Sequence, residues 1–145
     1  MKLKIEQSDE YSEAEIIIRC NCIDKNLQRI IEQIQLSKFM LTAYKDDSTM
    51  LLKSDVVFYL ESVDEKTFIY CRNEVYSSPM KLYELEEMLK KSTFVRVSKS
   101  CILNIDYLES VRPLLNGKME ATLSNNEKII INRHYVPEFK KKFGF

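Results

Sequence analysis

Four short stretches of this chain have residue types and spacings that could do chemistry. Cys20-Asn21-Cys22 sets two thiols two residues apart, a spacing at which both could reach one soft metal ion. Ser78-Pro79-Met80-Lys81 matches the S-x-x-K pattern, in which a lysine amine can activate a serine hydroxyl. Arg133-His134 sets a guanidinium beside an imidazole. The fourth stretch, "FVRVSKSCILN", opens as a β-strand with Phe94, Val95 and Val97. It then inserts the hydroxyl-ammonium-hydroxyl triplet Ser98-Lys99-Ser100 before Cys101-Ile102-Leu103 turns apolar again.

Most of the catalytic readings fail on composition. His134 is the single histidine, which leaves a zinc site short of ligands. Cys20 and Cys22 continue the alternation of Ile16 and Ile18 along a predicted strand, so both thiols are expected on its core face. With no secretion signal, the 4 cysteines are expected as reduced thiols. A capping hydroxyl followed by proline at the first helical position explains Ser78 and Pro79, and the S-D-N and K-T-G partners of an acylase are missing. Gly117 and Gly144 are the only glycines, so there is no glycine-rich phosphate loop. No nucleophile-histidine-acid set can be assembled. The expectation is a protein that is not an enzyme, with no metal and no cofactor.

Charge gives a different lead. Formal net charge is zero, but Phe94 to Phe145 holds nine Lys+Arg against five Asp+Glu, a surplus of four that the rest of the chain cancels. A basic C-terminal part of this kind often meets a polyanion, although an ordinary solvated surface has the same composition. No window reaches the apolar length of a membrane span, and the N-terminus lacks a signal-type apolar core, so a cytoplasmic location is expected.

The elements that must position these residues can be read from periodicity. Lys2 to Glu6 and Glu15 to Ile23 are strand candidates. Asp24 can cap a helix running to about Leu36, with Leu27, Ile30, Ile31 and Ile34 on one face. From Phe39 the period changes to two. Strands are predicted over Met40–Tyr44, Met50–Lys53, Asp55–Glu61, Thr67–Arg72 and Glu74–Ser77, followed by a helix starting at Ser78-Pro79. Asn116-Gly117 is a strong hairpin signal between Tyr107–Leu115 and Lys118–Leu123. Asn125-Asn126 makes a second turn, and a last helix bears Phe139 and Phe143, with Pro137 in its first turn or just before it. The expected organisation is a strand-helix unit over 1–38 and a mainly β domain over 39–145.

The segment "STFVRVSKSCILNIDYLESVRPLLNGKMEATLSNNEKIIINRHYVPEFKKKF" resembles the LytTR family of bacterial DNA-binding domains. An aromatic, Arg, a hydrophobic, polar residues, Ser, an apolar pair and Asn occur in the family's order. An N-G hairpin, a second turn and a polar-Arg pair before the final helix follow. Upstream, "DVVFYLES" and "PMKLYELEEMLKK" match the family's strand and short helix, so the resemblance covers roughly Leu41 to Phe145. It implies a mainly β fold (α+β overall) of small stacked sheets in an elongated body with short helices. It also implies readout by inter-strand loops in successive major grooves, without a recognition helix.

Carried over position by position, the resemblance makes Ser98, Lys99 and Ser100 a polar loop reaching bases and phosphates. The family often has His-Arg where this chain has Ser98-Lys99, and lysine lacks the planar fork of arginine. Arg133 matches the arginine before the last helix and can reach guanine O6 and N7 in bidentate fashion, with His134 on the backbone. Lys66 and Thr67 are contact candidates in a third loop, and Ser77 and Ser78 at a helix start suit phosphate. Arg96, alternating with Val95 and Val97, is expected to be structural, and Asn104 to hold the loop through its side chain. Without the resemblance, Lys99 and Lys66 read first as ordinary solvated lysines, and a surface ion-pair partner is the alternative for Arg133.

The expected function is sequence-specific transcriptional regulation by a response-regulator-like protein, binding double-stranded promoter repeats as a homodimer. About a hundred residues are needed for a receiver domain, which the first 37 cannot supply. The resemblance therefore points to the stand-alone branch, often encoded beside a membrane protein that holds the regulator inactive. A protein-protein interaction module or anti-activator without DNA binding stays open as an alternative. So does an RNA-binding protein, disfavoured because most aromatics fall at core-like positions.

Overall fold

The first helix begins where a carboxylate can cap it. Asp24 Oδ1 accepts from Leu27 N at 2.8 Å, and α1 (Lys25–Ser37) follows. The computed structural model describes residues 1–37 and 40–144, so the domain boundary expected at 38/39 lies outside the described residues. The chain divides into two units, Met1–Gln33 and Ile34–Phe145, each described by itself.

In the first unit the sequence-based expectation is corrected. Neither Lys2–Glu6 nor Glu15–Ile23 forms a strand. Ile16, Ile17 and Ile23 are exposed, and Cys20 and Cys22 are exposed as well, not core. β-propensity needs an edge to pair with, and a lone segment or two-stranded ribbon is marginal in water. On α1, Leu27, Ile30 and Ile31 are half-buried while Lys25, Asn26, Gln28 and Arg29 are exposed, so the expected apolar face forms.

The second unit is mainly β. Its strands are β1 (Met40–Lys45), β2 (Ser48–Lys53), β3 (Val57–Val63), β4 (Lys66–Cys71), β5 (Val75–Ser78), β6 (Phe94–Ser98), β7 (Cys101–Asn104), β8 (Leu108–Pro113), β9 (Met119–Leu123) and β10 (Lys128–Ile131). Two helices, α2 (Leu82–Met88) and α3 (Val136–Phe143), complete it. A seven-stranded sheet runs β2-β1-β5-β4-β3-β7-β6, and a three-stranded sheet runs β10-β9-β8. All pairings are antiparallel. The period-2 alternation of the large sheet sends side chains to two cores. Leu60, Ile69 and Ile102 meet Leu82, Leu85 and Leu89 of the α2 segment. Val95, Val97 and Leu103 meet Ala121, Leu123, Ile131 and Phe139 from the small sheet and α3. The large sheet is thus the middle layer, and the two sheets stack on the second core.

Local chemistry sets the boundaries. Asn116 and Gly117 hold φ of 64° and 75°, the left-handed region that these two residue types tolerate in a turn. Asn126 supplies the second turn at φ 70°. Pro137 sits in the first turn of α3, as expected. Ser78 does not cap α2. That helix starts at Leu82, Lys81 N donates to Glu84 Oε1 at 3.1 Å, and Ser78 Oγ accepts from Met80 N at 3.1 Å. Pairing of Ser78 with Thr67 keeps Ser78 in the sheet, so sheet hydrogen bonding outweighs the local cap signal. No helix among the described residues is long and apolar enough to cross a membrane.

Asn104 is fully buried and joins three segments. Its Nδ2 donates to the Val57 carbonyl at 2.8 Å, and its Oδ1 accepts from Thr93 Oγ1 at 2.7 Å and from Asp106 N at 3.1 Å. It therefore anchors the base of the β6–β7 hairpin rather than the Ser98-Lys99-Ser100 end assigned to it from sequence. Asn104→Ala leaves the Val57 carbonyl without its partner, a loss of about 1–3 kcal/mol from that group alone. Urea unfolding should show a lower midpoint at unchanged slope; a change within about 0.5 kcal/mol would contradict this anchoring.

The thiols give a second check. Burial, with the Glu61 carboxylate adding, pushes the Cys101 thiol up to about 12, and burial also raises Cys71. Iodoacetamide at pH 8 should therefore alkylate Cys20 and Cys22 quickly in the native chain, Cys71 slowly and Cys101 only after unfolding. Protection of Cys20 and Cys22 would restore the strand reading of that segment.

Candidate nucleic-acid interface

Ser98 ends β6, and pairing of Ser98 with Cys101 leaves Lys99-Ser100 as a two-residue turn. The register shifts between Arg96 and Ser98, which tightens the local twist and lifts the turn out of the ladder. Ser98 Oγ accepts from Ser100 N at 3.2 Å and lies 3.4 Å from Ser100 Oγ. Ser62 N donates to the Ser100 carbonyl at 2.8 Å. The triplet is therefore a short turn held by its own hydroxyls, with the Lys99 side chain exposed.

Arg96 is the principal support beneath it. Nε donates to the Ser98 carbonyl at 2.7 Å, Nη2 to the Lys99 carbonyl, and Nη1 to Glu86 Oε2. The Arg96 side chain is largely covered while Glu86 stays about half exposed, so the bond to the Ser98 carbonyl is the most sheltered of these charge-assisted contacts. The structural role read from its alternation is right. The mechanism is a clamp on two loop carbonyls, which spacing alone does not reveal.

The other candidates gather at the same end of the large sheet. Glu61 pairs with Cys101, Ser62 with Thr67 and Thr67 with Ser78, which sets the β3–β4 turn and the end of β5 level with Lys99-Ser100. Lys66 is exposed, but Thr67 is only 4% exposed, because alternation along β4 turns it inward. Asp64 and Glu65 form the turn itself at φ of 50° and 65°, so Lys66 stands next to two carboxylates. Ser77 and Ser78 are half-buried, and Ser77 Oγ donates to the Tyr44 carbonyl at 3.4 Å. They line an open depression with Lys66, Thr67 and Lys81. With α2 beginning at Leu82, neither serine offers free helix N–H groups.

Arg133 and His134 are exposed on a short 3-10 turn, Arg133–Tyr135, that follows β10. Asn132 N donates to the Val97 carbonyl at 2.9 Å. This backbone bond crosses from the small sheet to the large one, one residue from Arg133 and one from Ser98. Two segments far apart in sequence thus present their cations at one end of the fold. The aliphatic part of Arg133 lies over Gly117, a neighbour the sequence reading missed because the Asn-Gly doublet was explained by its turn.

The arrangement has solvent-facing cations on short hydrogen-bonded turns. It suits a polyanion whose edges carry hydrogen-bonding groups. Comparison with known proteins agrees. Residues 47–144 match the model of the LytTr DNA-binding domain. The LytTr DNA-binding domain of a Bacillus cereus response regulator superposes with a TM-score of 0.69 at 25% identity, over 73% of this chain and 97% of that one. A sensory transduction protein LytT from Enterococcus faecalis is 33% identical over 59% of this chain. The chain spans only 36% of that protein's length. An uncharacterized HTH-type transcriptional regulator of Staphylococcus aureus is 26% identical over 99% of both chains. A family model covering more than half the sequence, on a matching fold, decides the assignment: the chain belongs to the LytTr DNA-binding domain family, a family of DNA-binding regulator domains and not of enzymes.

Proposed function

We propose that the chain is a sequence-specific transcriptional regulator that reads duplex DNA with turns. The β6–β7 turn and the Arg133 turn enter neighbouring major-groove segments. The observation that carries this reading is the Asn132–Val97 bond, which holds both cationic turns at one end of the fold. Arg133 has the planar fork for guanine, while Lys99, Lys66 and the serines contribute mainly phosphate contacts. His134, next to Arg133, contributes a contact to the DNA backbone. Buried Thr67 acts by holding β4 between β3 and β5, through its pairing with Ser62 and Ser78, rather than by touching DNA. The α-helices support the fold: strands separate α1 from α2 and α2 from α3, so readout does not go through a helix-turn-helix pair.

One domain offers few base contacts, so two copies on repeated half-sites are proposed. The first unit supplies a surface for that pairing. Ile16 and Ile17 are 68% and 62% exposed, and the α1 face of Leu27, Ile30 and Ile31 is only half-buried. In this reading the exposed isoleucines and the half-buried α1 face form the surface that the second copy covers. A membrane protein that silences the regulator, the partner implied by the family resemblance, would compete for the same surface. Ile30→Asp with Ile31→Asp should convert the dimer to monomer in analytical ultracentrifugation and weaken binding to paired half-sites more than to single ones. A dimer that survives both substitutions places the interface elsewhere.

The central reading is tested by selecting bound duplexes from a random pool with the 145-residue chain, where failure to enrich any sequence rejects it. On an enriched duplex, Arg133→Ala should cost about 1–3 kcal/mol, with little change on random DNA. Lys140→Ala should weaken both equally and lower the slope of log K against log salt by about 0.9 if it touches one phosphate. Equal losses on both DNAs for Arg133→Ala would remove it from base readout.

A further inference from the structure

The Asn116-Gly117 turn is conventional as a hairpin, but the contact above it is not explained by the hairpin. A Cβ added at Gly117 would lie 2.9 Å from both Cγ and Cδ of Arg133 and 3.7 Å from its Cβ. Real Cβ atoms do not approach carbons so closely, so any side chain at 117 must displace the Arg133 stem. Sheet register brings the two together. Pro113 and Ile131 both pair with Met119, so the β8–β9 turn and the residues after β10 emerge side by side. Leu114 N donates to the Lys118 carbonyl at 2.8 Å, closing the turn. Asn132 N on Val97, and Tyr135 N on the Asn132 carbonyl at 2.8 Å, fix the backbone on either side of Arg133.

We propose that Gly117 is a specificity-determining position: its missing side chain is the space in which the Arg133 stem lies, and the β8–β9 turn thereby sets where the Arg133 guanidinium stands. This rests on the base-reading role proposed for Arg133. Arginine has many rotamers, and ordering an exposed one on binding costs affinity. A stem seated on a glycine is partly ordered before DNA arrives. Gly117 touches no base in this scheme. It is a positioning residue that acts through Arg133, whereas the left-handed turn alone could be met by asparagine, as Asn116 shows at φ 64°. The turn needs a residue tolerant of positive φ, and the arginine needs one without a Cβ. Only glycine meets both demands.

The test uses the 145-residue chain, duplexes enriched from a random pool by the wild type, and a random duplex of equal length. Affinities are measured for wild type, Gly117→Asn, Gly117→Ala, Arg133→Ala and each combination with Arg133→Ala. Gly117→Asn keeps a residue suited to positive φ but carries the Cβ, so it separates crowding from backbone strain. Both glycine variants should lose about fivefold or more on the enriched duplex and stay within about twofold on random DNA. In the Arg133→Ala background neither should change affinity further. Losses that persist undiminished without the arginine would show that Gly117 acts only through its turn, and would overturn the proposal. Full affinity of Gly117→Asn on the enriched duplex would overturn it too. If Arg133→Ala itself weakens enriched and random duplexes alike, the base-reading role fails and the proposal with it. That outcome is visible before any glycine variant is compared.

Discussion

One buried amide sets the hairpin on which the candidate interface stands. Asn104 faces Phe94 in the β6–β7 ladder and spends its hydrogen-bonding capacity on Val57, Thr93 and Asp106. A one-residue slip of β7 would strand that amide in the core and exchange the two apolar faces of the strand. Ile102 packs toward α2, while Cys101 and Leu103 pack toward the small sheet. The hairpin is therefore pinned at its base by polar satisfaction and along its length by two different cores. Its far end needs separate control, and Arg96 supplies it by holding the Ser98 and Lys99 carbonyls.

The same logic extends across the layers. At the Asn104 end, Phe58 and Tyr107 stack with ring centroids 3.9 Å apart, and Ser124 N donates to the Tyr107 carbonyl. At the opposite end, Asn132 bonds Val97. The small sheet is thus tied to the large one at both ends, with Val97, Ala121, Leu123, Ile131 and Phe139 fully buried between them. An interface built from turns needs this. A helix carries its own hydrogen bonds and stays rigid as a unit, whereas a turn keeps its shape only when its flanking strands are fixed. α3 contributes from behind. Lys142 Nζ donates to the Lys90 and Phe94 carbonyls, so part of the basic C-terminal charge serves as structural fastening.

What could be read in the sequence follows a physical divide. The Asp24 cap, the Asn116-Gly117 and Asn125-Asn126 turns and Pro137 in the first turn of α3 were legible because each is settled within a few residues. Most strands of the second unit were legible because they are buried on one or both faces and so carry a period. Isoleucines 16 to 18 gave a false strand, since their preference is for a pairing edge that the unit does not provide. Ser78 gave a false cap because Thr67 holds it in the sheet. Thr67 was named as a contact beside Lys66, but alternation along β4 turns its side chain inward while Lys66 stays exposed. The reach of Arg96 to two carbonyls and of Arg133 over Gly117 depends on tertiary approach, and no spacing in the chain encodes it locally.

The use of arginine and lysine at the tip becomes intelligible from the same geometry. A planar fork is suited to several acceptors at fixed angles, and in β6 that fork is turned inward on Ser98, Lys99 and Glu86. The exposed cation at the turn is lysine, a compact charge with rotatable donors that suits a phosphate without fixing an orientation. At the second turn the order is reversed. The backbone is fixed by Asn132, the stem rests on Gly117, and the exposed group is the fork. In the proposed reading, the first turn gives register through a rigid backbone and a point charge, and the second gives discrimination through a positioned arginine. With lysine at position 99, that reading leaves base selection resting mainly on Arg133.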